Sequence, residues 1–224
     1  MFCALANDCQ EHLNQALREK DQASFLVSGG ITPAPLYSLL SQRDLEWGKI
    51  QVALVDERWV WPHHEASNEA FIRRNLLIHE AEKAPFTGMK NPAKSASEGR
   101  AETEERYRKI TQPFSLTILG MGLDGHTASL FPHAQALNQA LNPLNPHLTT
   151  ALIAEPSPVT GPYIERLSLT LAGLLRSTRL VLLLTGVEKL EVYRRALTCE
   201  IVEAMPVSAI LGQDQVPVDL YWAH

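Results

Sequence analysis

Cysteine is scarce: Cys3, Cys9 and Cys199 are the only three in 224 residues. An odd count without metal-type spacing provides neither a disulfide framework nor a zinc site, and it points to a reducing compartment. The apolar run 180–184 falls far short of the ~20 residues that a spanning helix requires, so no membrane partner is expected. Residues 1–9 lack a positive leader and an apolar core of signal-peptide length, which again makes the cytoplasm the expected location. A basic excess is missing too: 20 Lys and Arg stand against 25 Asp and Glu, a net charge of −5. With no basic stripe interleaved with aromatics, the composition argues against a nucleic-acid partner. Any anionic ligand must then be held by local cations rather than by the overall field.

What is present is apolar patterning. At 45% apolar residues the chain can bury a core, and one domain over residues 1–224 is expected, working as a monomer or small homo-oligomer. Leu5, Cys9, Leu13, Ala16 and Leu17 recur at helical spacing over residues 5–20. Short apolar runs at 24–27, 49–55, 116–119, 150–154 and 179–184 predict buried strands. Helices are predicted over 33–40, 68–78, 97–110, 165–175 and 189–197, with short strands or edge segments at 207–211 and 218–222. The charges of 97–110 are expected to be solvated, and 137–146, with Asn-Pro repeated, to be a loop. Strands alternating with helices specify an α/β fold: a single-domain doubly wound, mostly parallel sheet with helices on both faces, Rossmann-like.

Residues 114–132 concentrate the chemistry. A buried strand ends in a corner where Gly120, Gly122 and Gly125 let the backbone turn, and the corner delivers His126. Asp124, two residues earlier, is spaced to orient the imidazole. The same glycines satisfy G-x-G-x-x-G, but Pro132 denies the long helix of a dinucleotide fold and no acidic residue stands near position 145 to hold a ribose. No nucleotide or other cofactor is expected. A second junction, Ser28-Gly29-Gly30-Ile31-Thr32-Pro33, joins a strand to a helix, and the free amides at such a helix start can hold a phosphate. Thr32 is available as a cap, and no Gly-Lys-Ser/Thr follows, so this is not a Walker loop. A third strand ends in Asp56-Glu57-Arg58-Trp59, an acid-acid-base triplet that points into a cleft, with Trp59 and Trp61 either lining it or packing the loop. The adjacent His63 and His64 rarely share one ion, so no metal site is expected.

Gly-Met-Gly-Leu-Asp-Gly-His-Thr-Ala-Ser-Leu-Phe-Pro, residues 120–132, resembles the signature of the 6-phosphogluconolactonases, in the superfamily that includes the glucosamine-6-phosphate deaminases. Asp56-Glu57-Arg58 and the pair Ser67-Asn68 match the same pattern, and the resemblance runs over about residues 28–189. It implies the deaminase-type Rossmann-like fold and hydrolysis of 6-phospho-D-glucono-1,5-lactone, a small phosphorylated sugar lactone, to 6-phosphogluconate. It also implies a phosphate-binding arginine at Arg166, just before Leu-Ser-Leu-Thr, and a phosphate-binding lysine at Lys189 in Gly-x-x-Lys. In this loop the family usually has a hydroxyl residue where Ile31 stands, which shifts the phosphate contacts to Ser28, Thr32 and the amides of Gly29 and Gly30.

Residue chemistry agrees with the implied reaction. Lactone opening needs a base, oxyanion stabilisation and an anchor, which assigns His126 as base, Asp124 as its orienter and Arg58 to oxyanion or substrate stabilisation, while the resemblance implies substrate contacts at Asp56 and Asn68. No Gly-x-Ser-x-Gly elbow calls for a covalent intermediate. Two rival readings remain: a deaminase, which would follow the histidine with a downstream glutamate where this chain has Ser129-Leu130-Phe131-Pro132, and a non-catalytic sugar-phosphate sensor, which would carry a DNA-binding module.

Overall fold

The computed structural model describes residues 1–224 throughout. In chain order the strands are β1 (Ala23–Val27), β2 (Ile50–Leu54), β3 (Asp56–Arg58), β4 (Phe86–Thr87), β5 (Leu116–Leu119), β6 (Thr149–Ile153), β7 (Glu165–Leu169), β8 (Leu180–Thr185) and β9 (Val218–Ala223). The helices are α1 (Phe2–Lys20), α2 (Ala34–Ser41), α3 (Asn68–Asn75), α4 (Ala96–Arg108), α5 (Leu137–Ala140), α6 (Leu171–Leu174), α7 (Val187–Ala196) and α8 (Val207–Leu211). Six strands form one sheet in the order β4-β2-β1-β5-β8-β9, and every pairing in it is parallel. β1 and β5 are buried along their whole length, as expected of continuous apolar strands covered by helices on both faces. No helix is long and apolar enough to cross a membrane.

The chain winds from β1 outward through β2 to β4, then returns to the other side of β1 to lay down β5, β8 and β9. The winding direction therefore reverses between β1 and β5. In open parallel sheets that reversal leaves a crevice at the carboxyl ends of the two strands. The two glycine-bearing loops follow those very strands.

A second sheet, antiparallel and three-stranded in the order β3-β7-β6, stands beside the first. It corrects two expectations. Residues 165–169 form a strand and not the opening of a helix, because both edges of β7 find partners; Thr170 then caps α6, accepting from Gly173 N at 2.9 Å. The charges of 97–110 are likewise not all solvated: Glu104 is buried and accepts from Leu148 N, Thr149 N and Thr149 Oγ1 at the start of β6. A buried polar face fully supplied with donors costs little, yet it carries no apolar period for a sequence reading to find. Residues 207–211 are helical where a strand or edge segment was expected, with Pro206 preset for the helix start and Gly212 at its end. Part of the predicted loop 137–146 is the short α5.

Candidate active site

Ser28–Pro33 after β1 and Gly120–His126 after β5 meet over the crevice and enclose a cavity of about 370 Å³. Gly30 adopts φ 96, a conformation that glycine takes without strain. A Cβ on Gly29 would overlap the carboxamide of Asn68, so the turn is pressed directly against that side chain. Ser28 is 6% exposed, lines the cavity, and its Oγ has no hydrogen-bond partner in the protein. A buried hydroxyl without a partner is uncommon, and this one lines the cavity, free to bond an occupant. Thr32 does not cap α2 as expected; Pro33 takes the cap position without a side-chain bond, and Thr32 Oγ1 lies 3.5 Å from Thr185 Oγ1. Ile31 is 90% exposed.

The β5 corner is built around His126. Its Nδ1 lies 2.6 Å from Asp124 Oδ1, and the same oxygen accepts from the His126 backbone N–H at 3.1 Å. A carboxylate at Nδ1 keeps the proton there and leaves Nε2 as the acceptor, so the ring presents a base to the cavity. Burial pushes the Asp124 carboxyl up, but the hydrogen bonds and charge of His126 outweigh it and hold the group below the usual carboxylate range. Gly122 admits this pair, since a Cβ there would strike both the imidazole and the Asp124 carboxylate. Gly125 turns with φ 80, and its carbonyl accepts from Val207 N at 2.9 Å, tying the corner to α8.

The antiparallel sheet supplies the remaining wall. Side chains alternate along β3, so the triplet divides: Asp56 and Arg58 turn to the cavity, while Glu57 turns the other way and caps α3. Glu57 accepts from Arg58 N, Asn68 N, Glu69 N and Ser67 Oγ; burial still pushes its carboxyl up to about 7. Asn68, at the start of α3, gathers three elements. Its Oδ1 accepts from Arg58 Nη1, its Nδ2 donates to Asp56 O and Oδ1, and its amide abuts Gly29. Arg58 sits directly opposite Arg166 in the β3–β7 register. Like charges in that position repel, which prepares the pair for an anion. Arg166 is 3% exposed and donates to the carbonyls of Tyr163 and Thr160; burial lowers its pKa to about 10.

Lys189 completes the ring from the first turn of α7, half-buried, with no hydrogen bond or ion pair to any side chain. Burial lowers its pKa, with no carboxylate to offset it. Arg58, Arg166 and Lys189 thus face the cavity against the single carboxylate of Asp56, a positive site in a chain of net charge −5. Of the residues assigned in the sequence to catalysis or to the substrate, all line this cavity except Asp124, which stands behind His126.

Sequence reasoning missed Phe131, Ser129 and the capping role of Glu57. Ser129 Oγ donates to Asp56 Oδ2 at 2.6 Å, and its backbone N to Ser168 Oγ, joining the histidine corner to the second sheet. No pattern in the sequence announces contacts 73 and 39 residues apart. Trp59 and Trp61 do not line the cavity; Lys90 Nζ stands over both rings at 4.1 and 4.3 Å, packing the loop. His64 accepts from Ala66 N and meets Tyr163 Oη at 3.2 Å.

A cavity at the switch point of a parallel sheet, lined by three cationic side chains and by an imidazole oriented by a carboxylate, is the kind of site that α/β enzymes carry. The family model described as glucosamine-6-phosphate isomerases/6-phosphogluconolactonase matches residues 1–222. A 6-phosphogluconolactonase of Caulobacter vibrioides is 38% identical over 226 residues, covering 100% of this chain and 93% of that protein. A second, of Rhizobium meliloti, is 37% identical and covers 98% and 93%. The crystal structure of a 6-phosphogluconolactonase from Shewanella baltica superposes with a TM-score of 0.94 at 38% identity, covering 100% of this chain and 93% of that one. The chain belongs to the glucosamine-6-phosphate isomerase/6-phosphogluconolactonase family.

Proposed function

We propose that this chain, as one domain over residues 1–224 and in the cytoplasm, hydrolyses 6-phospho-D-glucono-1,5-lactone to 6-phosphogluconate, the second step of the oxidative pentose phosphate pathway. The observation that carries the reading is convergence: the Gly29–Gly30 turn, Arg166, Lys189 and His126 come from four separate segments and line one cavity. The phosphate end rests on the amides of the turn, the Ser28 hydroxyl, Arg166 and Lys189. A guanidinium and an ammonium suit a dianion, and the pocket offers it no competing carboxylate except Asp56, which Ser129 and Asn68 already occupy.

The lactone carbonyl then lies toward His126. Nε2 takes a proton from water as its oxygen bonds to C1, and Asp124 stabilises the imidazolium that forms. The carbonyl oxygen becomes an oxyanion, met by Arg58, whose guanidinium is held by Ala66 O and Asn68 Oδ1. As the C1–ring oxygen bond breaks, the imidazolium returns its proton to the leaving oxygen. The products are a hydroxyl and a carboxylic acid, which releases its remaining proton to solvent to become the carboxylate, and the side chains end as they began.

The test is a coupled assay with fresh lactone, following 6-phosphogluconate above the spontaneous rate, with glucosamine 6-phosphate run in parallel. Lactone turnover and no ammonia release are expected, and His126→Ala should cut kcat by ~10²–10⁴. Ammonia release without lactone turnover would transfer the chain to the deaminase branch. Binding without turnover of either would make it a sensor.

A further inference from the structure

Phe131 touches both ends of the site, yet no step above uses it. Its ring centroid lies 4.1 Å from that of His126, with the planes inclined by 31°. The Arg166 guanidinium carbon lies 5.1 Å from the same centroid. The residue is 3% exposed and lines the cavity. We infer that Phe131 is a positioning residue: its ring sets the plane of the His126 imidazole and fixes that base at one distance from the phosphate-holding Arg166. This rests on the lactonase reading given above.

Three features support it. Asp124 grips the His126 ring at Nδ1 only, its other bond being to the backbone, and one hydrogen bond leaves the ring free to tilt about that contact. A flat ring packed against its face, inclined by 31°, removes that freedom. The backbone around Phe131 is also held in conformations that side chains resist. Ala128 has φ 48 and His133 φ 61, two left-handed non-glycine residues within six positions, each costing about 1 kcal/mol or more. Such strain persists only where surrounding contacts enforce it. Beside Ala128, Ser129 is anchored by its side chain to Asp56 and by its amide to Ser168. Finally, Arg166 does not depend on Phe131 for its position, because Tyr163 O and Thr160 O already hold the guanidinium. The ring's contact with Arg166 therefore sets spacing rather than support.

The last point makes the inference testable. Phe131→Leu removes the flat face and leaves the anion pocket intact. Misplacing a base by about 1 Å costs on the order of 10²-fold, so kcat on the lactone should fall by ~10–100-fold. The competitive inhibition constant of inorganic phosphate should stay within about twofold, as should KM. Phe131→Tyr, which keeps the ring, should retain at least about a third of kcat. If Phe131→Leu does not fold by circular dichroism, Phe131→Met takes its place with the same expectation. An unchanged kcat overturns the inference. So does a weakening of phosphate inhibition in step with kcat, which would make Phe131 a prop for Arg166. Absence of lactone turnover in the unmodified protein is a separate outcome that overturns the lactonase reading itself.

Discussion

Replacing Asp124 by Asn isolates the part of the mechanism carried by one oxygen atom. Asp124 Oδ1 accepts from both Nδ1 and the backbone N–H of His126, at 2.6 and 3.1 Å. An amide can meet the ring in two ways. With its oxygen toward Nδ1 the tautomer survives, and only the charge that stabilises the imidazolium is lost. A hydrogen bond to a charged partner contributes ~1.5–3 kcal/mol, and each ~1.4 kcal/mol is tenfold, so kcat falls by ~10–150-fold. With its NH₂ toward Nδ1 the ring proton moves to Nε2, no base faces the cavity, and the loss approaches the ~10²–10⁴ of general-base catalysis as a whole. KM should hold within about twofold, because Asp124 is not on the cavity wall. The assay is single-variant and double-variant kinetics on fresh lactone with the spontaneous rate subtracted. On a His126→Ala background, Asp124→Asn should cost less than about twofold further, since the carboxylate acts only through the imidazole. A single variant that keeps most of its kcat, or a double variant whose losses multiply, refutes the pairing.

Other perturbations separate binding from folding. Lys189→Ala should raise KM by ~10-fold or more with kcat within about twofold, measured by steady-state kinetics; a fall in kcat at constant KM would remove Lys189 from the phosphate site. Gly29→Ala pushes a methyl group into the Asn68 carboxamide that orients Arg58 and Asp56, and it should cost ~1–3 kcal/mol in urea unfolding. Native stability in that variant would mean that the turn is looser than described. Glu57 provides a pH test. Its folded pKa of about 7 stands above the ordinary 4.5, so the folded chain holds this proton more tightly than the unfolded one. The resulting stability is complete below the unfolded value and is lost as pH rises through about 7. Urea midpoints should drop between about pH 5 and about pH 8, with a shallower drop in Glu57→Gln. Equal slopes in the two proteins would exclude Glu57 as the source.

The parallel sheet was legible because buried strands read as unbroken apolar runs, as 116–119 and 180–184 do. The strand 165–169 was not, because Glu165, Arg166 and Ser168 alternate with leucines beside a helix start. Only the register with β3 and β6 decides between the two periods. Glu104 escaped for a related reason: a buried carboxylate satisfied by Leu148, Thr149 and Arg108 looks, in a sequence, like any solvated glutamate.

By itself the sequence determined whatever the backbone sets over a few residues. Asp124 and His126 are able to meet, because a turn framed by Gly122 and Gly125 brings positions two apart within reach, and they do. A glycine must turn the chain after β1, because Gly30 takes a positive φ that a side chain resists. Tertiary structure alone decided that Arg58 faces Arg166, that Ser129 ties Asp56 to the histidine corner, and that Phe131 stands between His126 and Arg166. Those contacts join residues from separate strands and loops, and their geometry follows from how two sheets dock, which no local spacing encodes.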